Sequence, residues 1–588
     1  MKEKVLPLIL RMLLLFGLVL GACAAPAAPA AVEAPAATEA SAPTEAPAPT
    51  AVPAATEAPA PSDGAAAEQV LRLAIDGGPG NGPVPGLDFG TAAGPMWTYM
   101  PIMVMTQEGE LVPGLANKMF INPKQTQFVF KIDPEAVWSD GEEVTANQIK
   151  DWYEFIWHPA RLAGPSAQNF SGIIGWTEFQ DGTAKNLKGV IAVDAKTLRI
   201  NLVNPGPTFK YAMATIYSAP GRVEQYVDSV KGVEAIPKEQ YAAMSAVWGG
   251  DNAANLIVNG PFKFERIAPE PEGVYNFVPN PNFWGVKPRL TRIEVITMRD
   301  PQTMALMFEA ADLDLAFVTG PPAVKLRQQF PDTFKQKPVW GIWTMFFMTG
   351  RKPSDDLNLR KALLHAIEWE KVASVAWEGE QPSIENGQFI APGVSCRDDA
   401  FAPYPFDLAK AKEYLALSKY GPEGKDVPRI NLRMETDSPR QRASQIIAEM
   451  WRVNLGIEDI VLEVQESAFT DGAEKIAIRS ASAGGAFPLM HVFAKNAFKS
   501  GGWIATNGTQ YSSPEWDEKI DKLDSMDPNS ADYCPLASEF YKETVDQALL
   551  IPMGYIASWR QEQPWLQGYE ESQTSFAYNM QNVWLKEH

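Results

Sequence analysis

Cysteine, histidine and positive charge are all scarce in this chain of 588 residues, and each shortage removes a class of function. The four histidines, His158, His365, His491 and His588, stand far apart with no HExxH among them. A zinc centre needs ligands at close spacing, so metal catalysis has no support. Lys and Arg number 51 against 71 Asp and Glu, a formal charge of −20, and no basic stripe is present. That balance argues against nucleic acid, whose phosphates reward cations. Neither Gly-x-Ser-x-Gly nor Ser-x-x-Lys occurs, which removes the familiar serine nucleophiles. A carboxylate pair for glycoside hydrolysis stays open, because separation in space sets that chemistry. The loop GGPGNGPVPG after Ile75 resembles a phosphate cradle only in glycine content: Pro79, Pro83 and Pro85 remove donors, and no Gly-Lys-Ser/Thr follows.

Long apolar runs are missing too, except at the start. Lys2, Lys4 and Arg11 precede an apolar stretch from Leu13 to Leu20. It is shorter than the about 20 residues that span a bilayer, so residues 1–22 read as a secretory signal. Leu20-Gly21-Ala22-Cys23 resembles the lipobox of bacterial lipoproteins. The resemblance implies a mature chain that begins at a lipidated Cys23, tethered to the outer face of the cytoplasmic membrane. The alternative is a plain secretory signal with Cys23 incidental. From Ala24 to Ala67 the chain is almost entirely Ala, Pro, Thr and Glu, with Val32 and Val52 its largest apolar residues. Such a segment buries too little to offset the entropy of ordering it, and its prolines make it an extended spacer. The two later cysteines, Cys396 and Cys534, either pair as a disulfide in an oxidising compartment or stay as thiols.

Residues 68–588 exceed one hydrophobic core, so two or three lobes are expected. Val70–Ile75 alternates as a strand, and Phe128–Ile132, Val190–Val193 and Leu198–Leu202 read as strands too. Thr145 with Gln148 forms a capping box that opens a helix from Ala146 to Trp157. Asp300 followed by Pro301 marks another helix start. Leu359, Leu363 and Ile367 recur at i, i+4, i+8, so one face of that helix is expected to be buried, and Ser438-Pro439 and Gly456 bound another helix through Ile446, Met450 and Val453.

Five ordered motifs then converge. They are LVPGLANKMF with VWSDGEEVTANQIKDWYEF, GPFKF with NPNFWGVKPRLTRIEV and ADLDLAF, DDLNLRKALLHAIEWEKVA, FDLAKAKEYLALSKYG, and SPEWDEKIDKLDSM with QALLIPMGYIASW. From about Val70 to the C-terminus this series resembles the family 5 solute-binding proteins of ABC importers, the oligopeptide, dipeptide and nickel-binding type. The resemblance implies an α/β, bilobed periplasmic-binding-protein-like fold, type II, of the large cluster C type, with two or three subdomains and a hinge. Lobe I would be 68–297 with 558–588 and lobe II 298–557, with the crossings near Thr297 and Ala557 as hinge. It further implies a monomer without cofactor or catalysis, which closes on a solute and delivers it to an ABC permease.

Peptide-binding members carry an aromatic residue shortly followed by an Asp that pairs with the peptide amine. The matching stretch here, Phe487 to Trp503, holds no carboxylate. His491, Phe493, Asn496 and Trp503 offer stacking faces and neutral hydrogen bonds instead, suited to a capped peptide or an oligosaccharide. Trp97 and Tyr99, and Trp343 and Phe346, are further candidates for the cleft. For each of them core packing is the competing expectation.

Overall fold

The computed structural model describes residues 65–76, 97–106, 109–158, 169–226, 251–268, 273–298, 300–377, 384, 386–435, 438–465, 475–484, 488–502, 504–570 and 579–588. The signal, Cys23, nearly all of the tether, Trp503 and the side chain of Asn496 lie outside them.

The alternating run Val70–Asp76 is β1. Strands β2 (Met103–Met105) and β3 (Leu111–Pro113) form a short hairpin. A separate antiparallel sheet follows, with β4 (Ala116–Ile121), β5 (Gln127–Ile132), β6 (Val190–Asp194) and β7 (Thr197–Asn201) in the order β4–β5–β7–β6. Helix α1 (Ala146–Ile156) packs on its β6 and β7 side. The capping box is formed as read: Gln148 N donates to Thr145 Oγ1 at 3.3 Å and Thr145 N to Gln148 Oε1 at 3.0 Å. Phe128, Phe130, Leu198 and Ile200 alternate inward and are fully buried.

Strands β8 (Phe262–Ala268), β9 (Val274–Pro279) and β10 (Arg292–Met298) make a meander whose last member runs parallel to β1. Asp300 caps α2 (Pro301–Glu309) by accepting from Gln302 N and Thr303 N. After it come β11 (Leu315–Ala316) and α3 (Pro321–Gln329). A small second core joins Ala74 of β1 and Ala316 of β11 to Met304, Phe308 and Leu326 of these two helices. The remainder is β12 (Phe334–Phe347), α4 (Leu357–His365), α5 (Trp369–Ala376), α6 (Leu408–Leu417), β13 (Ile430–Glu435), α7 (Ser438–Leu455), β14 (Ile460–Gln465), β15 (Ile478–Gly484), α8 (Met490–Phe498), α9 (Pro514–Ser525), α10 (Tyr533–Asp546) and β16 (Leu550–Glu562). One ten-stranded mixed sheet threads most of the strands, in the order β14–β13–β15–β12–β16–β11–β1–β10–β9–β8.

One helical reading needs correction. Leu359, Leu363 and Ile367 are all buried, yet the helix stops at His365, whose Nδ1 meets Pro405 O at 2.9 Å, and a second helix starts at Trp369. In α7 the buried stripe runs Ala443, Ile447, Trp451, Leu455, one residue per turn. Val453, two residues from Trp451, therefore faces outward and is 73% exposed. The cysteine alternatives resolve to a disulfide between Cys396 and Cys534, which closes a separation of 138 residues.

Candidate functional site

Strand β15 reads Ile-Arg-Ser-Ala-Ser-Ala-Gly and lies between β12 and β13. On one side it pairs with β12 over its whole length, from Phe347↔Ile478 to Gly341↔Gly484. On the other, the ladder with β13 holds only Leu432↔Ile478 and Arg433↔Arg479. Strand β13 itself runs two residues further, to Glu435, and α7 begins at Ser438. Ser480–Ala483 thus has no strand partner on that flank among the described residues. An unpaired flank is a row of backbone donors and acceptors ready to take another extended chain. Its side chains are all small; Ser480, Ala481 and Ala483 are buried and Ser482 is exposed.

Trp343 of β12 sits in register between Ser482 of β15 and Gly554 of β16, and paired residues share a sheet face. Its ring is half-buried, with the Arg440 guanidinium 4.6 Å from its centroid and Trp377 nearly parallel, 16° and 6.3 Å away. Cation and aromatic face attract each other in this geometry. Trp377 donates from Nε1 to Met553 O at 2.8 Å. Glycine is required at 554, since a Cβ there would come within 2.9 Å of that same Nε1.

Past the flank the chain enters α8. An apolar pocket lies there between Trp340 of β12, Phe389, Ile390 and Val394 of the disulfide-bearing loop, and Leu489 and Phe493. Phe493 thus lines a pocket wall, 5.7 Å from Phe389.

His491, also on α8, is fully buried in a polar network. Its Nδ1 lies 2.6 Å from Tyr533 Oη and its Nε2 3.3 Å from Asp524 Oδ1, while Lys495 Nζ is 2.8 Å from Asp524 Oδ2. Burial pushes the Asp524 carboxyl up, but the Lys495 ammonium and His491 outweigh it and hold the group well below the usual carboxylate range. A lowered folded-state pKa gives stability that is complete above the unfolded value of about 3.9 and is lost as pH falls further. Asp524→Asn is therefore expected to flatten the decline of the urea midpoint below about pH 4. Equal slopes for variant and parent would contradict the assignment.

The other sequence candidates are dispersed. Trp97 and Tyr99 are core residues: Trp97 meets Phe277 edge-on at 5.4 Å, and the Tyr99 and Tyr226 hydroxyls are 3.0 Å apart. Phe346 is fully buried beside Gly508, on the sheet face opposite Trp343. The structure brings together Trp343, Arg440, Trp377 and the β15 flank. Of these only Trp343 was picked out by sequence, because aromatic and carboxylate content guided the reading. The Ser-Ala-Ser-Ala-Gly run was the available signal, since small residues are poor strand formers unless something packs closely on them.

The chain belongs to the bacterial extracellular solute-binding proteins, family 5, whose central-region model matches residues 110–505. It is 26% identical over 491 residues to the periplasmic murein peptide-binding protein MppA of Escherichia coli, covering 79% of this chain and 83% of that one. It is 27% identical over 384 residues to the oligopeptide-binding protein OppA of Bacillus subtilis, covering 63% of this chain and 66% of that protein. The solved E. coli MppA structure matches with a TM-score of 0.74 at 21% identity, over 89% of this chain and all of the other. Haemophilus influenzae OppA in complex with RPPGFSPFR gives 0.73 at 19% identity, over 89% and 99%. These likenesses establish the fold, and the family establishes a solute-binding role.

Proposed function

We propose that this chain captures an extended solute, an oligopeptide, as an added strand on the Ser480–Ala483 flank of β15 and delivers it to an ABC importer. The observation that carries the reading is the ladder that ends at Arg479 while β15 continues to Gly484. Peptides supply the matching backbone groups, and relatives are named for murein peptide and oligopeptide binding. Trp343 and Phe493 then contact ligand side chains on either side of the strand, with Asn496 and Trp503 as further contacts from the same stretch. Trp97, Tyr99, Phe346 and His491 serve the scaffold. Lobes 68–297 with 558–588 and 298–557 close about Thr297 and Ala557, driven by the ligand's greater affinity for the closed state. Cys23 carries the lipid that keeps the receptor at the outer face of the cytoplasmic membrane beside its permease.

Because Phe487 to Trp503 holds no carboxylate, the ligand is held by its backbone rather than by a free amine. Calorimetry on residues 68–588 with di- to pentapeptides, free and N-acetylated, tests this. Acetylation is expected to change affinity by no more than about threefold, whereas losing a buried charged hydrogen bond would cost about 100-fold. Binding of oligosaccharides with no binding of peptides would overturn the peptide reading.

A further inference from the structure

Phe389, Ile390, Ala391 and Val394 form one wall of the apolar pocket, and the segment 388–398 that carries them is pinned from several directions. Tyr555 Oη donates to Gln388 O at 3.0 Å, and Tyr541 Oη donates to Gln388 Oε1. Arg397 donates from Nη2 to Tyr555 Oη at 3.3 Å, with its guanidinium 5.4 Å from that ring. Cys396 is bonded to Cys534 in the first turn of α10. Its φ of +63° lies in the left-handed region, which a residue with a Cβ keeps only when its surroundings hold it there. From this fixed point the preceding residue reaches the ligand side: Ser395 N donates to Pro488 O at 2.7 Å. Pro488 lies four residues beyond the end of β15 and two before α8. A continuous connection therefore runs from α10 through the disulfide, Cys396 and the Ser395 N–H to the carbonyl where the flank gives way to the helix carrying Phe493.

We propose that the Cys396–Cys534 bridge is a positioning element of the ligand site, setting the place of Pro488 and of the 389–394 wall, so that affinity for solute depends on the bridge. This rests on the reading of the β15 flank as the site. With the bridge gone, Cys396 leaves its left-handed conformation, Ser395 withdraws its donor, and the start of α8 loosens while the distant sheet around α1 is unaffected.

Hydrogen exchange on the ligand-free protein tests the connection without any ligand. In C396A/C534A, amides of 489–495 are expected to exchange about tenfold faster, while those of 146–156 stay within about twofold. An equimolar di- to pentapeptide mixture, with the retained fraction read by mass spectrometry, tests the consequence: the variant should retain about tenfold less than the parent at a temperature where both are folded. Ile149→Ala, which weakens the remote core at α1, is the control for lowered stability and should retain peptide as the parent does. If the double variant does not fold, Ser395→Pro removes the donor with the disulfide intact and should show both effects, and Ser395→Ala, which keeps the N–H, neither. Unchanged exchange at 489–495 overturns the proposal, as does faster exchange with unchanged peptide retention. A parent protein that retains no peptide ends the peptide reading instead, and exchange alone then decides the role of the bridge.

Discussion

Trp451→Ala is expected to lower stability by about 4 kcal/mol, read as a fall in the urea midpoint followed by far-ultraviolet circular dichroism. Trp451 is fully buried on α7 and contributes in two ways. Its ring is fully buried, and truncating a buried aromatic residue to Ala costs about 3–5 kcal/mol. Its Nε1 also donates to Leu363 O at 2.9 Å. Leu363 lies in the last turn of α4, where carbonyls lack helical partners, and the N–H of Ile367 bonds to Leu364 O instead. Asn454 Nδ2 gives Ala366 O the same service at 2.9 Å. Helix α7 thus caps α4 with its side chains. Trp451→Phe keeps most of the volume and loses only the donor, so about 1–2 kcal/mol is expected there. Equal losses for the two variants would mean that the hydrogen bond, and not the packing, dominates.

Local signals carried much of the fold. Thr145 with Gln148 and Asp300 with Pro301 named their helix starts because capping is settled by a few neighbouring atoms. β1 followed from alternation. In α7 the apolar spacing of i, i+4, i+7 fits more than one stripe, and Trp451, one residue beyond Met450, takes the core while Val453 faces outward. The stop at His365 depended on Pro405 and Asp407, some forty residues on in the chain, and no local pattern reports such a partner. The ten-stranded order, with β11 and β16 joining the early strands to the late ones, likewise rests on long-range pairing.

The site was less legible, for a physical reason. An open flank is a property of the backbone: it arises where the ladder between β13 and β15 stops while β15 goes on, and only the small side chains of Ser480–Ala483 hint at it. Aromatic residues are conspicuous in a sequence, but most of them go to the core, as Trp97, Tyr99 and Phe346 do. Trp343 is only partly buried, and Arg440, nearly one hundred residues later, covers one of its faces.

The second large effect follows from strand addition itself. In an added strand, alternate amides point toward the host, and the rest point away. Methylating an inward amide removes a donor and places a methyl group against the β15 backbone, so affinity should fall about 10- to 100-fold at each such position. Methylating an outward amide should change it by no more than about threefold. The most direct test of the account is therefore the affinity of residues 68–588 for a bound tetra- or pentapeptide, measured calorimetrically as each of its amides is N-methylated in turn. The account predicts losses that alternate along the peptide with a period of two. A flat profile, or a loss confined to one terminus, would contradict it.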